Sequence, residues 1–155
     1  MINVLFVCLG NICRSPMAEA LFRDLLKKEN LSEKVTVDSA ATSSWHIGSP
    51  PHKGTLTILK KYNISSDDLV GRQLTKEDFE KFDYIIGMDE SNVINIFDIT
   101  GKPQHPNIIR LLDITEHKKD VPDPYYTGYF EETYQLISDG CRALLEKIRN
   151  EQNLT

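Results

Sequence analysis

The chain has 155 residues, 40% of them hydrophobic and 26% charged, which predicts one soluble domain burying roughly 70% of the surface its unfolded chain would expose. A formal net charge of -5 argues against nucleic acid or an anionic membrane as a partner, so an anionic ligand has to be drawn in by a local field. Three cysteines, no basic region ahead of the short N-terminal apolar run and no stretch of membrane-spanning length predict a reducing, cytoplasmic setting, although unconventional export would leave no mark.

From the N-terminus, Val4 to Val7 is rich in β-branched residues and reads as a buried strand ending at Cys8. Leu9, Gly10, Asn11, Ile12 and Cys13 suit a tight loop, since Gly10 is free to take positive φ and Asn11 tolerates it. A helix to about Asn30 follows, with Ser15 as its predicted cap, Pro16 at its first position and Glu19 in its first turn. Lys34 to Ser39 reads as a second strand. The turn-rich stretch from Ala40 to His52 holds the only tryptophan, Trp45. Helices are expected over Lys53 to Tyr62 and Thr75 to Lys81, a third strand over Phe82 to Met88, and then a helix capped by Asp89 with Val93, Ile94 and Phe97 on its apolar stripe. Pro103 and Pro106 break the chain before a fourth strand, Asn107 to Leu112. A last helix from Phe130 to about Asn150 carries Leu136, Ile137, Leu144, Leu145 and Ile148, and the polar tail from Glu151 is expected to fray. Alternating strands and helices imply a single α/β domain, residues 1–155. Its four-stranded, mainly parallel sheet would be doubly wound with helices on both faces, and its ligands would sit beyond the carboxyl ends of the strands.

Cys8 falls at such an end. A strand, a tight loop and a helix N-terminus form an anion cradle, because loop amides and the unsatisfied first N–H groups of the helix point at one spot. Cys8 opens that cradle and Arg14 closes it, with Leu9, Gly10, Asn11, Ile12, Cys13 and Ser15 between and after them as candidate phosphate-binding residues. A tetrahedral anion suits the amides and the planar bidentate fork of Arg14, and the same positive field favours the thiolate of Cys8, which could attack phosphorus without a metal or cofactor. A cysteine ending a strand is more often a small buried hydrophobe, and a Cys and an Arg six apart occur by accident. The Gly-Asn loop and the helix start give the spacing its weight.

The second informative stretch is His117 to Tyr129. Pro122 and Pro124 hold Asp123, while Tyr125 and Tyr126 crowd aromatic surface beside it, so Asp123 is the candidate general acid and Asp120 the competing carboxylate. Both tyrosines could grip an aryl ring. Asp-Pro is also ordinary turn chemistry. Zinc is poorly supported, since Cys8 and Cys13 have no second Cys or His pair at ligand spacing.

V-C-L-G-N-I-C-R-S-P near the N-terminus, Trp45, G-M-D-E-S-N at 87–92 and D-P-Y-Y at 123–126 closely resemble the low-molecular-weight protein tyrosine phosphatase family, from Ile2 to about Lys147. The resemblance implies Cys8 as nucleophile, Arg14 as phosphate ligand, Ser15 assisting the thiolate and Asp123 as general acid. It implies Asn11 shaping the loop with Ser39 behind it, and Trp45 and Tyr125 walling the cleft. Cys13 matches a loop cysteine that can pair reversibly with the nucleophile. The implied partners are tyrosine-phosphorylated proteins, with a kinase as a further candidate, and the chain is expected to be a monomer. Leu69 stands where many relatives have a histidine supporting the loop asparagine, which predicts a less firmly braced Asn11. Pro51, His52, Lys53 and Gly54 replace the usual P-D-P-R.

Three alternatives fit the sequence less well. Arsenate reductases of this fold need further cysteines, and residues 76–104 contain none. Arginine phosphatases carry a threonine where this chain has Ile12, and a noncatalytic phosphate-binding regulator would lack the nucleophile or the acid.

Overall fold

The computed structural model of the chain describes residues 1–101 and 105–154, so the expected break at Pro103 lies outside the described residues. Its central strand, β1 (Ile2–Cys8), is apolar without alternation because both of its faces are covered. Val4 and Phe6 pack with Met17, Phe22, Leu59, Ile137 and Leu144 on one side. Leu5 and Val7 pack with Ile85, Ile96 and Ile108 on the other. With β2 (Val35–Ala41), β3 (Tyr84–Gly87) and β4 (Ile108–Arg110), it forms a four-stranded sheet in the order β2-β1-β3-β4, every pairing parallel. The helices α1 (Arg14–Lys28), α2 (Lys53–Lys61) and α6 (Phe130–Gln152) cover the first face, while α3 (Asp78–Lys81) and α4 (Glu90–Thr100) cover the second. The expected single-domain, doubly wound α/β architecture is therefore present. The winding reverses beside β1, the point at which such sheets open a crevice, and Cys8, in register with Ala41, ends the strand there.

Several boundaries differ from the sequence reading, each for a tertiary reason. Cys13 occupies the cap position of α1 with no side-chain cap bond, so Ser15 is not the cap, Pro16 is the third helical residue and Glu19 lies beyond the first turn. The Ser15 hydroxyl is engaged with Cys8 and Asn11 instead. On α4 it is Ile96, fully buried, and not Ile94, 53% exposed, that continues the stripe from Val93. The helix expected from Thr75 shortens to α3, since the Asp78 carboxylate accepts from the Thr75 N–H and from Arg72. β4 ends at Arg110, and Leu111–Ile114 form a 3₁₀ turn against α6. α6 continues to Gln152, where the Tyr84 hydroxyl donates to Glu151 at 2.7 Å, so this part of the expected frayed tail is anchored. The start of α2 is set by His52, whose ring Nδ1 accepts from the Gly54 N–H at 2.9 Å.

Candidate active site

Between the end of β1 and the start of α1 the chain reverses, and the reversal turns on Asn11, which takes φ 57°. Gly10 does not adopt the left-handed conformation; its missing Cβ admits the His46 ring, which comes within 3.1 Å of where that Cβ would stand. Cys8 Sγ is buried at the centre of the turn. It accepts from the N–H groups of Asn11 and Ser15 at 3.3 and 3.4 Å, and Ser15 Oγ lies 3.0 Å away.

The direction of that last hydrogen bond follows from its neighbours. Asn11 Oδ1 accepts from the Arg72 backbone N–H at 3.0 Å, which turns the amide nitrogen toward Ser15 Oγ at 2.7 Å and Ser39 Oγ at 2.9 Å. Ser15 Oγ, already an acceptor, keeps its proton for Cys8; Ser39 spends its own on Glu19 at 2.6 Å. Both polar atoms of the Asn11 side chain are thus tied, and the predicted loss of bracing is corrected: Leu69 is buried in the core, and the backbone at Arg72 takes the role of a supporting side chain. Glu19 is itself buried, which pushes its carboxyl above the ordinary range against the pull of hydrogen bonds from Ser39 and Arg23.

Arg14 is 2% exposed. Its Nη1 donates to Asp89 at 2.7 Å and to the Val121 carbonyl at 3.0 Å, and Nη2 to Asp123 at 3.3 Å. Its Nε is buried with no partner among the described residues, which fits a site made for one more acceptor oxygen. Burial works against its charge, but Cys8, Asp123 and Asp89 outweigh that and hold Arg14 above its ordinary value. Burial likewise works against the Asp89 carboxylate, and hydrogen bonds from Arg14 and Ser91 overcome it, holding the group below the usual range.

Asp123 caps the short helix α5 (Pro124–Thr127), accepting from the Tyr125 N–H at 3.1 Å. The competing carboxylate, Asp120, is committed elsewhere: it accepts from the Glu90 N–H and from Arg110, each at 2.9 Å. Cys8, Leu9, Gly10, Ile12, Cys13 and Asp123 line a pocket of about 110 Å³, with Trp45 and His46 on one side and Tyr125 and Tyr126 on the other. Asn11, Arg14 and Ser15 do not line it and act from behind. A larger groove of about 720 Å³ runs along α4 and β4, but it holds no cysteine and is open to solvent. No group of three or more metal-ligating side chains occurs among the described residues.

Two members of the site were not legible as such. Asp89 carries a clear capping signature, and its second task of holding Arg14 becomes visible only when α4 is placed beside α1. His46 had no signal beyond following Trp45.

A doubly wound α/β domain with a buried cysteine at the carboxyl end of its first strand, ringed by loop amides and followed by a buried arginine, matches a cysteine-dependent phosphatase class. Residues 3–154 match the family described as low molecular weight phosphotyrosine protein phosphatase, and the chain belongs to that family. It is 53% identical to the low molecular weight protein-tyrosine-phosphatase YfkJ of Bacillus subtilis, covering 99% of this chain and 100% of that one. The YfkJ crystal structure superposes with a TM-score of 0.95 over 98% of this chain and 97% of that chain. PtpA of Staphylococcus aureus is 45% identical over 99% of this chain and 98% of its own length. The crystal structure of SP-PTP from Streptococcus pyogenes, 43% identical, gives a TM-score of 0.86 over 99% of this chain and 97% of that one.

Proposed function

We propose that this protein hydrolyses phosphotyrosine in proteins through a phosphocysteine on Cys8. Cys8 Sγ attacks phosphorus as the bond to the tyrosine oxygen breaks. Arg14 and the loop amides bind the three equatorial oxygens, and Asp123 gives its proton to the leaving phenolic oxygen. In the second step the Asp123 carboxylate takes a proton from a water that attacks phosphorus, releasing phosphate and the thiolate, which the Ser15 hydroxyl stabilises. The observation that carries this reading is the convergence on Cys8 Sγ of the Ser15 hydroxyl and two backbone N–H groups, in a pocket that Asp123 also lines. Aromatic walls and the apolar Ile12 beneath them favour an aryl phosphate over phosphoarginine.

The same geometry supports redox protection. Burial, reinforced by the negative charges of Asp123 and Cys8, pushes the Cys13 thiol up to about 12, so Cys13 stays protonated near neutral pH and does not compete as the nucleophile. Peroxide would convert Cys8 to a sulfenic acid, and Cys13 would condense with it, forming the S–S bond and releasing water. Tyrosine-phosphorylated proteins are the substrates this reading requires. All three cysteines are free thiols, which accords with a reducing cytoplasmic setting, and no described helix is long and apolar enough to cross a membrane.

Hydrolysis of matched phosphotyrosine, phosphoserine and phosphoarginine peptides tests the assignment. The wild type is expected to favour phosphotyrosine, and Cys8→Ser to lose turnover while still binding inorganic phosphate, because the cradle and Arg14 remain. Turnover in Cys8→Ser, or a preference for phosphoarginine, would overturn it.

A further inference from the structure

Eight large hydrophobic side chains among the described residues are exposed: Met1, Trp45, Ile47, Val70, Ile94, Tyr125, Tyr126 and Tyr129. Single exposed apolar residues are ordinary on a soluble protein and scatter. Here six of the eight fall on three segments beside one pocket, Trp45 with Ile47 and, brought alongside by the pairing of Gly48 with Gly71, Val70 on one side, and Tyr125, Tyr126 and Tyr129 on the other. Trp45, Tyr125 and Tyr126 line the pocket; Ile47, Val70 and Tyr129 do not, and an aryl phosphate seated over Cys8 has no need of them.

Ile47 and Val70 are also held in place. Ile47 follows His46, which packs on Gly10, and precedes Gly48, whose N–H donates to the Gly71 carbonyl at 2.8 Å; the Gly71 N–H returns a bond to Ser49 at 2.8 Å. Val70 sits between that pairing and Leu69, which is buried in the core. Two residues further on, the Arg72 N–H holds Asn11 of the phosphate loop. The backbone on both sides of each residue is therefore fixed, and its side chain is presented outward at little entropic cost to a partner. The exposed charges just before Val70 are acidic, Asp67 and Asp68, while the guanidinium of Arg72 after it is paired with Asp38 and Asp78.

Building on the phosphotyrosine reading above, we propose that Ile47 and Val70 form a docking wing for the substrate polypeptide, taking an apolar side chain that flanks the phosphotyrosine, with Tyr129 as the counterpart across the mouth. The occupant is a polypeptide because the wing starts one residue beyond the wall of the pocket that takes the ring, where only chain attached to that ring can reach. Substrates with leucine-like neighbours are then favoured, and acidic neighbours are disfavoured by Asp67 and Asp68.

Three phosphotyrosine peptides that differ only at the positions two residues before and after the phosphotyrosine, carrying Leu, Ser or Asp there, provide the test, with phenyl phosphate as the reference that reaches only the pocket. The wild type should show a kcat/KM about tenfold higher for the Leu peptide than for the Ser peptide, expressed through KM, and the lowest value for the Asp peptide. Ile47→Ser and Val70→Ser should each lower the Leu-to-Ser ratio toward one, measured relative to phenyl phosphate in the same variant. Equal rates on the three peptides, or a ratio that survives both substitutions, would overturn the docking wing while leaving the phosphatase reading intact. Failure of the wild type on phenyl phosphate and all peptides would sink the phosphatase reading itself. If the wing is instead buried by a second copy of the chain, sedimentation velocity will show concentration-dependent association that Ile47→Ser and Val70→Ser abolish with no change in peptide ratio, and that result also overturns the proposal.

Discussion

Cys8, Asp123 and Cys13 share one pocket lining, and the proposed phosphocysteine reaction gives them different proton tasks that substitutions separate. A tyrosine phosphate releases a phenolate of pKa ~10, so its departure needs a proton, which the proposed reaction takes from Asp123, whereas an ester of a strongly acidic phenol needs little help. Asp123→Asn is expected to slow phosphotyrosine hydrolysis by about 10²- to 10⁴-fold and an activated aryl phosphate far less in the first step. Stopped-flow assays on both substrates check this, with a burst of the activated phenol expected as phosphocysteine accumulates. Equal losses on both would move the acid role elsewhere, to Asp120 first. For Cys13, peroxide inactivation should be reversed by dithiol in the wild type and become irreversible in Cys13→Ser. Because the Cys13 thiol sits at about 12, recovery-competent disulfide should form faster as pH rises. Identical recovery in wild type and Cys13→Ser would leave Cys13 as packing alone.

At the scale of elements, the start of α4 organises the site. Asp89 accepts from the Asn92 N–H at 2.8 Å as the helix cap and from Arg14 at 2.7 Å, and Val121 is drawn to the same place by its N–H donating to the Met88 carbonyl at 2.9 Å. Asp89→Asn keeps a good capping side chain but removes the charge facing a buried guanidinium, so a loss of about 1–3 kcal/mol is expected at pH 7. The folded-state value of Asp89 is depressed, so the unfolded chain takes up the proton first. The stabilisation is complete above the unfolded value near ~3.9 and is lost as pH falls through the folded value. Urea titrations from pH 7 to pH 3 should show the gap between wild type and Asp89→Asn closing below about pH 4. A gap that stays constant over that range would mean the charge of Asp89 contributes nothing to stability.

For the molecule as a whole, the loop carrying Asp123 lies between the 3₁₀ turn and α6, and their packing fixes how it meets the turn around Cys8. Gly140 makes that contact possible: a Cβ there would meet Leu111 Cγ at 2.5 Å, with both Leu111 methyls under 3.0 Å. In an exposed helix Gly→Ala would gain about 1 kcal/mol, but overpacking costs about 1–3 kcal/mol, so Gly140→Ala is expected to be a net loss of about 1 kcal/mol. Chemical denaturation measures it, and a stabilised variant would show that Leu111 yields freely. With an overall charge of -5, the anionic substrate of the proposed reaction depends on short-range attraction, for which Arg14, the loop amides and the α1 N-terminus are the donors at hand.

What the amino-acid order determined unaided was whatever depends on neighbours along the chain. A non-alternating apolar strand, a Gly-Asn turn before Arg14, a capping Asp89 and a proline-flanked Asp123 each carry a local signature, and from these the α/β order and the candidate catalytic trio of Cys8, Arg14 and Asp123 could be read. Only the tertiary structure decided that Ser15 serves the thiol and not the helix cap, that Asp89 holds Arg14 from 75 residues away, that His46 fills the space above Gly10, and that Asn11 needs no histidine. The physical reason lies in the donor that braces Asn11: it is a backbone N–H, 61 residues distant, which every residue except proline possesses and which therefore has no signature in a sequence until the fold brings it within 3.0 Å.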